Sequence, residues 1–251
     1  GVKTAEAAVC AMDAGANLIG LIFATGSKRC VSAAQAKAVA DAIRSRAVET
    51  GKRDTAVARP EATTGEDPAI WFQKGQAAIE QALAGNARPL VVGVFQDQDV
   101  ATINAAIESV PLDLVQLHGA ESVDLPAALH APAVRVLHVE AGADGSAMVL
   151  DKAAAVHAGQ SAAILLDTKV GSERGGTGQA FDWTLAAGLG RAGVPCIVAG
   201  GLSGSNAADA VRAAQPCWGL DASSGLETDG VKDAAKIKDY VAGAKSVTSE
   251  A

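Results

Sequence analysis

The sequence predicts an α/β fold, and within that class a (β/α)8 TIM barrel that lacks its first strand in the numbered chain. Short apolar runs alternate with longer Ala-rich segments of helical spacing along the 251 residues. The chain opens with a helical segment at residues 4–14, so that eight helical segments accompany only seven strand runs. Because a closed barrel needs eight strands, we expect the first strand just upstream of Gly1. A doubly wound sheet of seven strands is the alternative.

The strand runs are each about six residues long and apolar on both faces, which is typical of a parallel sheet covered by helices on both sides. Strands that alternate with helices in this way are joined by right-handed crossovers. The seven runs lie at residues 17–23, 90–95, 113–118, 133–139, 162–167, 195–200 and 218–222.

The helical segments between the strands include residues 32–49, 69–83, 100–110, 182–192 and 205–214. Three of them start at a residue whose side chain can cap a helix: Ser32, Asp182 and Ser205. The region at about 47–68 is polar and contains no strand run. We interpret it as a disordered surface insertion in the second helical layer, with a partner-binding arm as the alternative. Residues 1–251 are interpreted as a single barrel domain.

The composition excludes several classes of protein. With 28 acidic and 21 basic side chains and a net charge of −7, the chain lacks the basic clusters that bind a nucleic-acid backbone. It has no run of about 18 apolar residues that could span a membrane. Its cysteines, Cys10, Cys30, Cys196 and Cys217, are far apart, which is typical of reduced thiols in a reducing compartment. We therefore expect neither a metal site nor a disulfide framework.

Polar residues lie at or just after the end of four of the strand runs, where barrel enzymes carry their active sites: Arg29, His118, Asp167 and Asp221. Asp167 ends an apolar strand, where a carboxyl can donate a proton near neutrality; a helix cap or an ion pair with Lys169 is the alternative. Arg29 can bind a substrate carboxylate through two parallel hydrogen bonds, or it is a solvated loop charge. His118 is either a packed histidine or a substrate contact.

Two glycine-containing turns follow the last two strand runs, Gly200-Gly201 and Ser223-Ser224-Gly225. Backbone N–H groups of such turns can point at phosphate oxygens, and a short helix that starts near Ser224 would add its positive end. Turns in these two places predict a phosphate site, although glycines can also serve tight turns alone. The loop that contains Gly176 is either a lid or a plain connection.

Together these stretches resemble the phosphoribosylanthranilate isomerase family of tryptophan biosynthesis. The matching segments cover nearly the whole chain in order, and residues 47–83 have no counterpart in a compact family member. The matching segments are GVKTAEAA, GANLIGLIFATGSKRCVS, VVGVF, DLVQLHGAES, ILLDT, GGTGQAFDW, AGGLSGSN and GLDASSGLETDGVKDAAKI.

The resemblance implies an Amadori rearrangement of N-(5′-phosphoribosyl)anthranilate to 1-(2-carboxyphenylamino)-1-deoxyribulose 5-phosphate, with no metal or organic cofactor. It makes Asp167 the general acid and Arg29 the contact for the anthranilate carboxylate. It implies that backbone groups of the two turns bind the phosphate. The expected substrate-binding residues are Arg29, His118, Gly176, Gly200, Gly201, Asp221, Ser223, Ser224 and Gly225.

The family's general base is a cysteine in a Lys-x-Cys-Gly stretch that ends the first strand. Gly1 takes the place of that glycine, so the resemblance puts the base at the residue just before Gly1. The missing strand and the missing base are then one omission, and we expect the chain to be part of a longer polypeptide. Cys10 is expected in the outer helical ring, where it could not replace the base.

Two other functions remain open from the sequence. One is another phosphosugar barrel enzyme, such as indole-glycerol-phosphate synthase or a pentose phosphate epimerase. The former needs a lysine acid at a strand end and the latter a metal-binding set of His and Asp, and neither set is visible. The other is a non-catalytic barrel that binds a phosphate ligand. We expect a small phosphosugar as the ligand. The protein itself is expected to be a monomer or to be fused to another pathway enzyme. The expected compartment is the cytoplasm or a plastid.

Overall fold

The computed structural model describes residues 1–48, 55–61, 63–140, 145–158, 160–170, 173–174 and 183–247. Within them the α-helices are α1 Ala5–Asp13, α2 Ala33–Val48, α3 Pro68–Gly85, α4 Val100–Ser109, α5 Ser146–Ala158, α6 Thr184–Arg191, α7 Ala207–Ala214 and α8 Ala234–Ser246. The strands are β1 Leu18–Ile22, β2 Leu90–Phe95, β3 Leu114–Leu117, β4 Ala133–Glu140, β5 Ala163–Val170, β6 Glu173–Arg174, β7 Cys196–Val198, β8 Gly219–Leu220, β9 Glu227–Thr228 and β10 Val231–Lys232. Short 3-10 turns lie at Leu125–Ala128 and Ser224–Leu226. No helix among the described residues is both long and apolar enough to cross a bilayer.

The main sheet contains the seven predicted strands, each parallel to the next, in the order β1-β2-β3-β4-β5-β7-β8. This confirms all seven strand runs. The order follows the sequence without a reversal, whereas a doubly wound sheet reverses direction at a switch point. A parallel sheet that winds in one direction with helices on its outer side is the arrangement of a barrel. The short β6 pairs antiparallel with the end of β5, and β9 and β10 form a separate hairpin after β8.

The first residues of the chain lie between the two edges of this sheet. The backbone N–H of Val2 donates to Gly20 O in β1 at 2.8 Å, and the amine of Gly1 lies 3.2 Å from Ser223 Oγ in the turn after β8. This gap between the first and last strands is where a closing strand is expected.

The inner face of the sheet is lined by alternate strand residues, because successive side chains of a strand point to opposite faces. Leu114 of β3, Val134 and Val136 of β4, and Ala163 and Leu165 of β5 belong to one buried cluster. The residues of opposite parity pack outward against the helices, as Ile164 and Leu166 do beside Trp71 and Phe72 of α3. The strands are therefore buried on both faces, as their apolar runs predict.

Helix α3, which follows the polar region, crosses the amino-terminal end of the sheet. Trp71 Nε1 donates to Ser161 O just before β5 at 2.6 Å, and Gln73 Nε2 donates to Gly193 O ahead of β7 at 2.9 Å. Trp218 Nε1, directly before β8, donates to Glu80 Oε1 at 3.0 Å. Because all three contacts lie where strands begin, the helix covers the amino-terminal end of the sheet, opposite to the carboxyl ends of the strands.

The expectation of disorder does not hold for residues 55–61, while residues 49–54 and 62 lie outside the described chain. Val57 is buried in the inner core cluster. Arg59 donates to the carbonyls of Pro126 and Ala131 at 3.1 and 3.0 Å, and Thr55 N donates to Asn86 Oδ1 at 2.8 Å. One buried valine, one arginine and the backbone of Thr55 thus hold a polar segment against the strand starts, a signal too weak to be seen in its composition.

Candidate active site

The carboxyl ends of β5, β7 and β8 bring Asp167 and the two glycine turns to one rim of the sheet. In the register Leu166 pairs with Val198, and Val198 with Leu220. The backbone N–H of Asp221 donates to Val198 O at 2.7 Å, which extends this register past the end of β8. Asp167, which follows Leu166 within β5, and Asp221, which follows Leu220 of β8, therefore lie at the same level. This rim faces away from α3.

Asp167 is 4% exposed and contacts His118. Its Oδ2 lies 3.2 Å from His118 Nε2, while the other ring nitrogen of His118 lies 3.1 Å from Gln116 Nε2. Both side chains sit at the end of an inward-facing row of a strand, so the contact follows from strand parity. The histidine orients one carboxylate oxygen, which leaves the second oxygen of Asp167 for a reacting group.

The turn after β7 requires glycine at two consecutive positions. Gly200 and Gly201 have φ values of 97° and 65°, a region that residues with a Cβ rarely adopt. Asn206 braces this turn, because its Nδ2 donates to Gly201 O at 3.0 Å and its Oδ1 accepts from Ser203 N at 2.9 Å. Helix α7 starts after Asn206, so the expected cap at Ser205 is wrong, whereas Ser32 does cap α2 by accepting from Gln35 N. Asp182 lies outside the described residues.

The turn after β8 packs directly on the turn after β7. A Cβ at Gly225 would lie 2.0 Å from Leu202 O, so only glycine allows this approach. Ser224 begins a single 3-10 turn, Ser224–Leu226, close to the place where the sequence predicts a short helix. Lys232 Nζ donates to Ser223 O at 2.8 Å and adds a positive charge beside the two turns. Backbone N–H groups, glycines and a cation together are suited to bind an anion.

Arg29 is held in a bidentate ion pair by Glu227. Arg29 Nε lies 2.6 Å from Oε1 and Nη2 lies 2.8 Å from Oε2, and Lys232 Nζ lies 2.7 Å from the same Oε1. Burial raises the pKa of Glu227, but the hydrogen bonds from Arg29 and Lys232 outweigh it and lower that pKa to about 2. The expected carboxylate clamp is thus already paired along one edge, and Arg29 presents the remaining N–H groups of Nη1 and Nη2.

Asp221 is surrounded by the charges of the site. Its environment raises the pKa of its carboxyl mainly through loss of solvation, and the Asp167 carboxylate adds to the effect, while His118 and Lys232 oppose it. Gly176, which the sequence also assigns to the substrate site, lies outside the described residues.

Sequence reasoning missed three residues of this rim: His138, Glu227 and Lys232. His138 Nε2 lies 3.0 Å from His118 O, and the two rings form an edge-to-face contact with centroids 5.2 Å apart. His138 continues the inward-facing row of Val134 and Val136, so strand parity could have placed it beside His118. The other two lie in the GLETDGVKD stretch, where only a contact across the fold distinguishes them from surface charges.

Cys10 lies in α1, and its Sγ is 3.8 Å from Ala234 O at the start of α8. The two helices pack against each other on the outside of the sheet. This placement agrees with the expectation that Cys10 belongs to the outer helical ring rather than to the rim.

A family model described as N-(5′-phosphoribosyl)anthranilate (PRA) isomerase matches residues 69–243. The tryptophan biosynthesis protein TRP1 of Phytophthora nicotianae is 38% identical over 100% of this chain, which covers 47% of that protein. A multifunctional tryptophan biosynthesis protein of Phycomyces blakesleeanus is 36% identical over 98% of this chain, which covers 32% of that protein. The chain thus spans less than half the length of these two relatives. An N-(5′-phosphoribosyl)anthranilate isomerase of Pseudomonas putida is 35% identical over 81% of this chain and 98% of its own length.

Solved structures share the fold. Phosphoribosyl anthranilate isomerase from Thermotoga maritima superposes with a TM-score of 0.68 at 24% identity, over 97% of this chain and 95% of that one. A phosphoribosyl anthranilate isomerase in complex with reduced 1-(o-carboxyphenylamino)-1-deoxyribulose 5-phosphate gives a TM-score of 0.65 at 22% identity, over 97% and 95% of the two chains. The sheet described above is thus the sheet of a TIM barrel.

Proposed function

We propose that this chain, which belongs to the N-(5′-phosphoribosyl)anthranilate isomerase family, catalyses the isomerisation of N-(5′-phosphoribosyl)anthranilate to 1-(2-carboxyphenylamino)-1-deoxyribulose 5-phosphate in tryptophan biosynthesis. One observation carries the proposal: Asp167 lies on the same rim as the two packed glycine turns. A proton donor and an anion site at one strand end are what a phosphosugar isomerase requires.

In the proposed mechanism Asp167 protonates the ring oxygen of the bound phosphoribosyl group. The ring C–O bond breaks as the anilino nitrogen supplies its electron pair, which gives a Schiff base. His118 holds Oδ2 of Asp167, so Oδ1 is the oxygen that carries the proton. A base then removes the proton from the adjacent carbon, and the resulting enol amine tautomerises to the ketone. These steps require no metal ion and no oxidant or reductant.

Binding of the substrate at its two ends would set the distance between the proton donor and the ring oxygen. The phosphate is assigned to Gly200, Gly201 and the Ser223–Gly225 turn, with Lys232 and Asp221 next to it. The anthranilate carboxylate is assigned to the edge of Arg29 that Glu227 leaves open. A fixed guanidinium loses little conformational entropy when the second carboxylate binds.

The general base remains a prediction from the resemblance, which puts a cysteine at the position before Gly1. The amine of Gly1 lies on the same rim as Asp167 and the two turns, 3.2 Å from Ser223 Oγ. The side chain of a residue joined to this amine would therefore be close to both turns. The protein's complete gene sequence tests this directly. A cysteine at that position supports the enzyme, and an inert side chain supports the non-catalytic barrel.

The lengths of the relatives support a proposal about the partners of the chain. Because the chain covers 32% and 47% of two longer tryptophan-biosynthesis proteins, we favour an isomerase domain fused to another enzyme of the same pathway over an isolated monomer. We keep the cytoplasm as the expected compartment, with a plastid as the alternative.

The decisive experiment is a turnover assay. The purified protein, expressed from its complete gene, is supplied with N-(5′-phosphoribosyl)anthranilate, and loss of the substrate's fluorescence is followed over time. We expect turnover by the native protein and a large loss of it in Asp167→Asn. Binding of reduced 1-(o-carboxyphenylamino)-1-deoxyribulose 5-phosphate without any turnover would overturn the enzyme in favour of a ligand-binding barrel.

A further inference from the structure

On the inner face of the sheet, at the carboxyl ends of the strands, lie three potential metal ligands that the isomerase mechanism does not use together. Among the described residues, one ligand atom each from His118, His138 and Asp167 lies within 4.8 Å of the others. The sequence shows no such set, because the three residues come from three different strands and are 20 and 29 positions apart. Strand parity unites them: each continues an inward-facing row, namely Leu114-Gln116-His118, Val134-Val136-His138 and Ala163-Leu165-Asp167.

We infer that His118, His138 and Asp167 form a site for one divalent transition-metal ion of the Zn²⁺ class. Two imidazole nitrogens and one carboxylate are a common ligand set for such an ion, and a water or another small ligand fills the fourth position. Zinc–nitrogen and zinc–oxygen bonds of about 2.0–2.1 Å in a tetrahedron separate ligand atoms by about 3.3 Å. The observed 3.2 Å between His118 Nε2 and Asp167 Oδ2 is close to that separation, and the ligand atom of His138, which lies within 4.8 Å of the others, would move closer around a bound ion.

The groups around the three side chains suit a metal as well. His138 Nε2 donates to His118 O at 3.0 Å, which directs the lone pair of that ring to Nδ1, as ligating histidines require. The amide of Gln116 lies 3.1 Å from His118 Nδ1, and after an amide flip its oxygen can accept a proton from that nitrogen. Nε2 of His118 is then left as a ligand. Asp167 is nearly buried, so a carboxylate there gains from a bound cation.

A bound ion would use the oxygen of Asp167 that contacts His118 and hold the carboxyl deprotonated. This consequence rests on the proposed function: if the chain is the isomerase, its metal-bound form is inactive. Zn²⁺ should therefore inhibit turnover, and removal of the ion by a chelator should restore it.

The test measures metal binding without substrate, so its result stands whether or not the isomerase assay succeeds. The full-length protein is titrated with Co²⁺ alone, the visible absorption of bound Co²⁺ is recorded, and Zn²⁺ is then added as a competitor. We expect one ion bound through the three residues, displacement by Zn²⁺, and no near-ultraviolet sulfur-to-cobalt absorption from the four cysteines. His138→Gln should weaken binding by about tenfold or more. The control, His130→Gln, changes an exposed histidine that contacts Glu108 and should leave affinity unchanged.

A second measurement keeps the inference testable if His138→Gln does not fold. In NMR spectra of the wild-type protein, Zn²⁺ should shift the imidazole signals of His118 and His138 and leave those of His130 and His157 in place. Absence of Co²⁺ binding, equal affinity of His138→Gln and wild type, or shifts at His130 and His157 instead would each overturn the site. Metal binding together with no turnover by the chelator-treated, metal-free protein would refute the isomerase and leave the metal site intact.

Discussion

Arg29 and Glu227 form a bidentate ion pair with N–O distances of 2.6 and 2.8 Å. Arg29 follows β1 and Glu227 follows β8, which are the two edge strands of the sheet. The pair therefore connects the two sides of the gap in which Gly1 and Val2 lie. It also fixes the guanidinium that we assign to the substrate carboxylate.

Arg29→Ala should mainly raise KM, because its contact with the substrate carboxylate is present in the ground state and the transition state alike. A hydrogen-bonded contact to a charged group corresponds to a rise of about 10- to 100-fold, read from the fluorescence assay over a range of substrate concentrations. Arg212→Ala, which removes an exposed arginine paired with Asp209, is the control. An unchanged KM in Arg29→Ala would show that Arg29 serves Glu227 only.

Glu227→Gln should destabilise the protein in a pH-dependent way. The pKa of Glu227 is lowered from 4.5 to about 2 in the folded protein, so the ionised carboxylate stabilises the fold above about pH 4.5. This contribution is lost as the pH falls from there toward about 2. Urea unfolding of both proteins should show a difference of about 1–3 kcal/mol near neutral pH and a smaller one near pH 3. An equal difference at both pH values would contradict the assigned ion pair.

Asp167→Asn should lower kcat by about 10²- to 10⁴-fold and leave KM nearly unchanged, because the amide keeps the size of the side chain but cannot donate an acidic proton. Asp151→Asn, on an exposed position of α5, is a matched control with the same chemical change. Circular dichroism of both variants checks that the fold is intact. Turnover at the wild-type rate in Asp167→Asn would end its assignment as the acid.

Gly225→Ala should separate the two turns of the phosphate site. The new Cβ would lie 2.0 Å from Leu202 O, which is backbone and cannot rotate away. A displacement of this kind should raise KM and the inhibition constant of inorganic phosphate by about 10- to 100-fold. In Gly145→Ala the added Cβ meets nothing within 4 Å, so this variant should behave as wild type. Equal phosphate affinities for the two variants would argue that the turns bind no phosphate.

Strand parity explains both what the sequence predicted at the rim and what it missed. Asp167 and His118 attract attention because each ends an apolar run. His138 lies one residue inside its run, so it reads as part of a strand, although it points to the same interior as Val134 and Val136. Counting alternate positions from the core upward would have placed all three polar side chains in the top layer of the sheet.

Helix α3 shows a different limit. Its apolar residues predict a helix at 69–83, and a helix is found there, but helical periodicity does not say which surface the apolar face covers. The partners of Trp71, Gln73 and Glu80 are backbone or side-chain groups that lie 90, 120 and 138 positions away along the chain. That docking, across the strand starts, appears only in the folded chain.

By itself the sequence determined the seven strands, their burial on two faces, the two glycine turns and the place of Asp167 after the apolar part of β5, because each of these is written in residues that are neighbours along the chain. Only the tertiary structure decided that Arg29 is paired with Glu227, that α3 covers the far end of the sheet and that two histidines meet Asp167. Those relationships depend on how the sheet curves, because the curvature brings together side chains that are far apart along the sequence and share no helical or strand repeat.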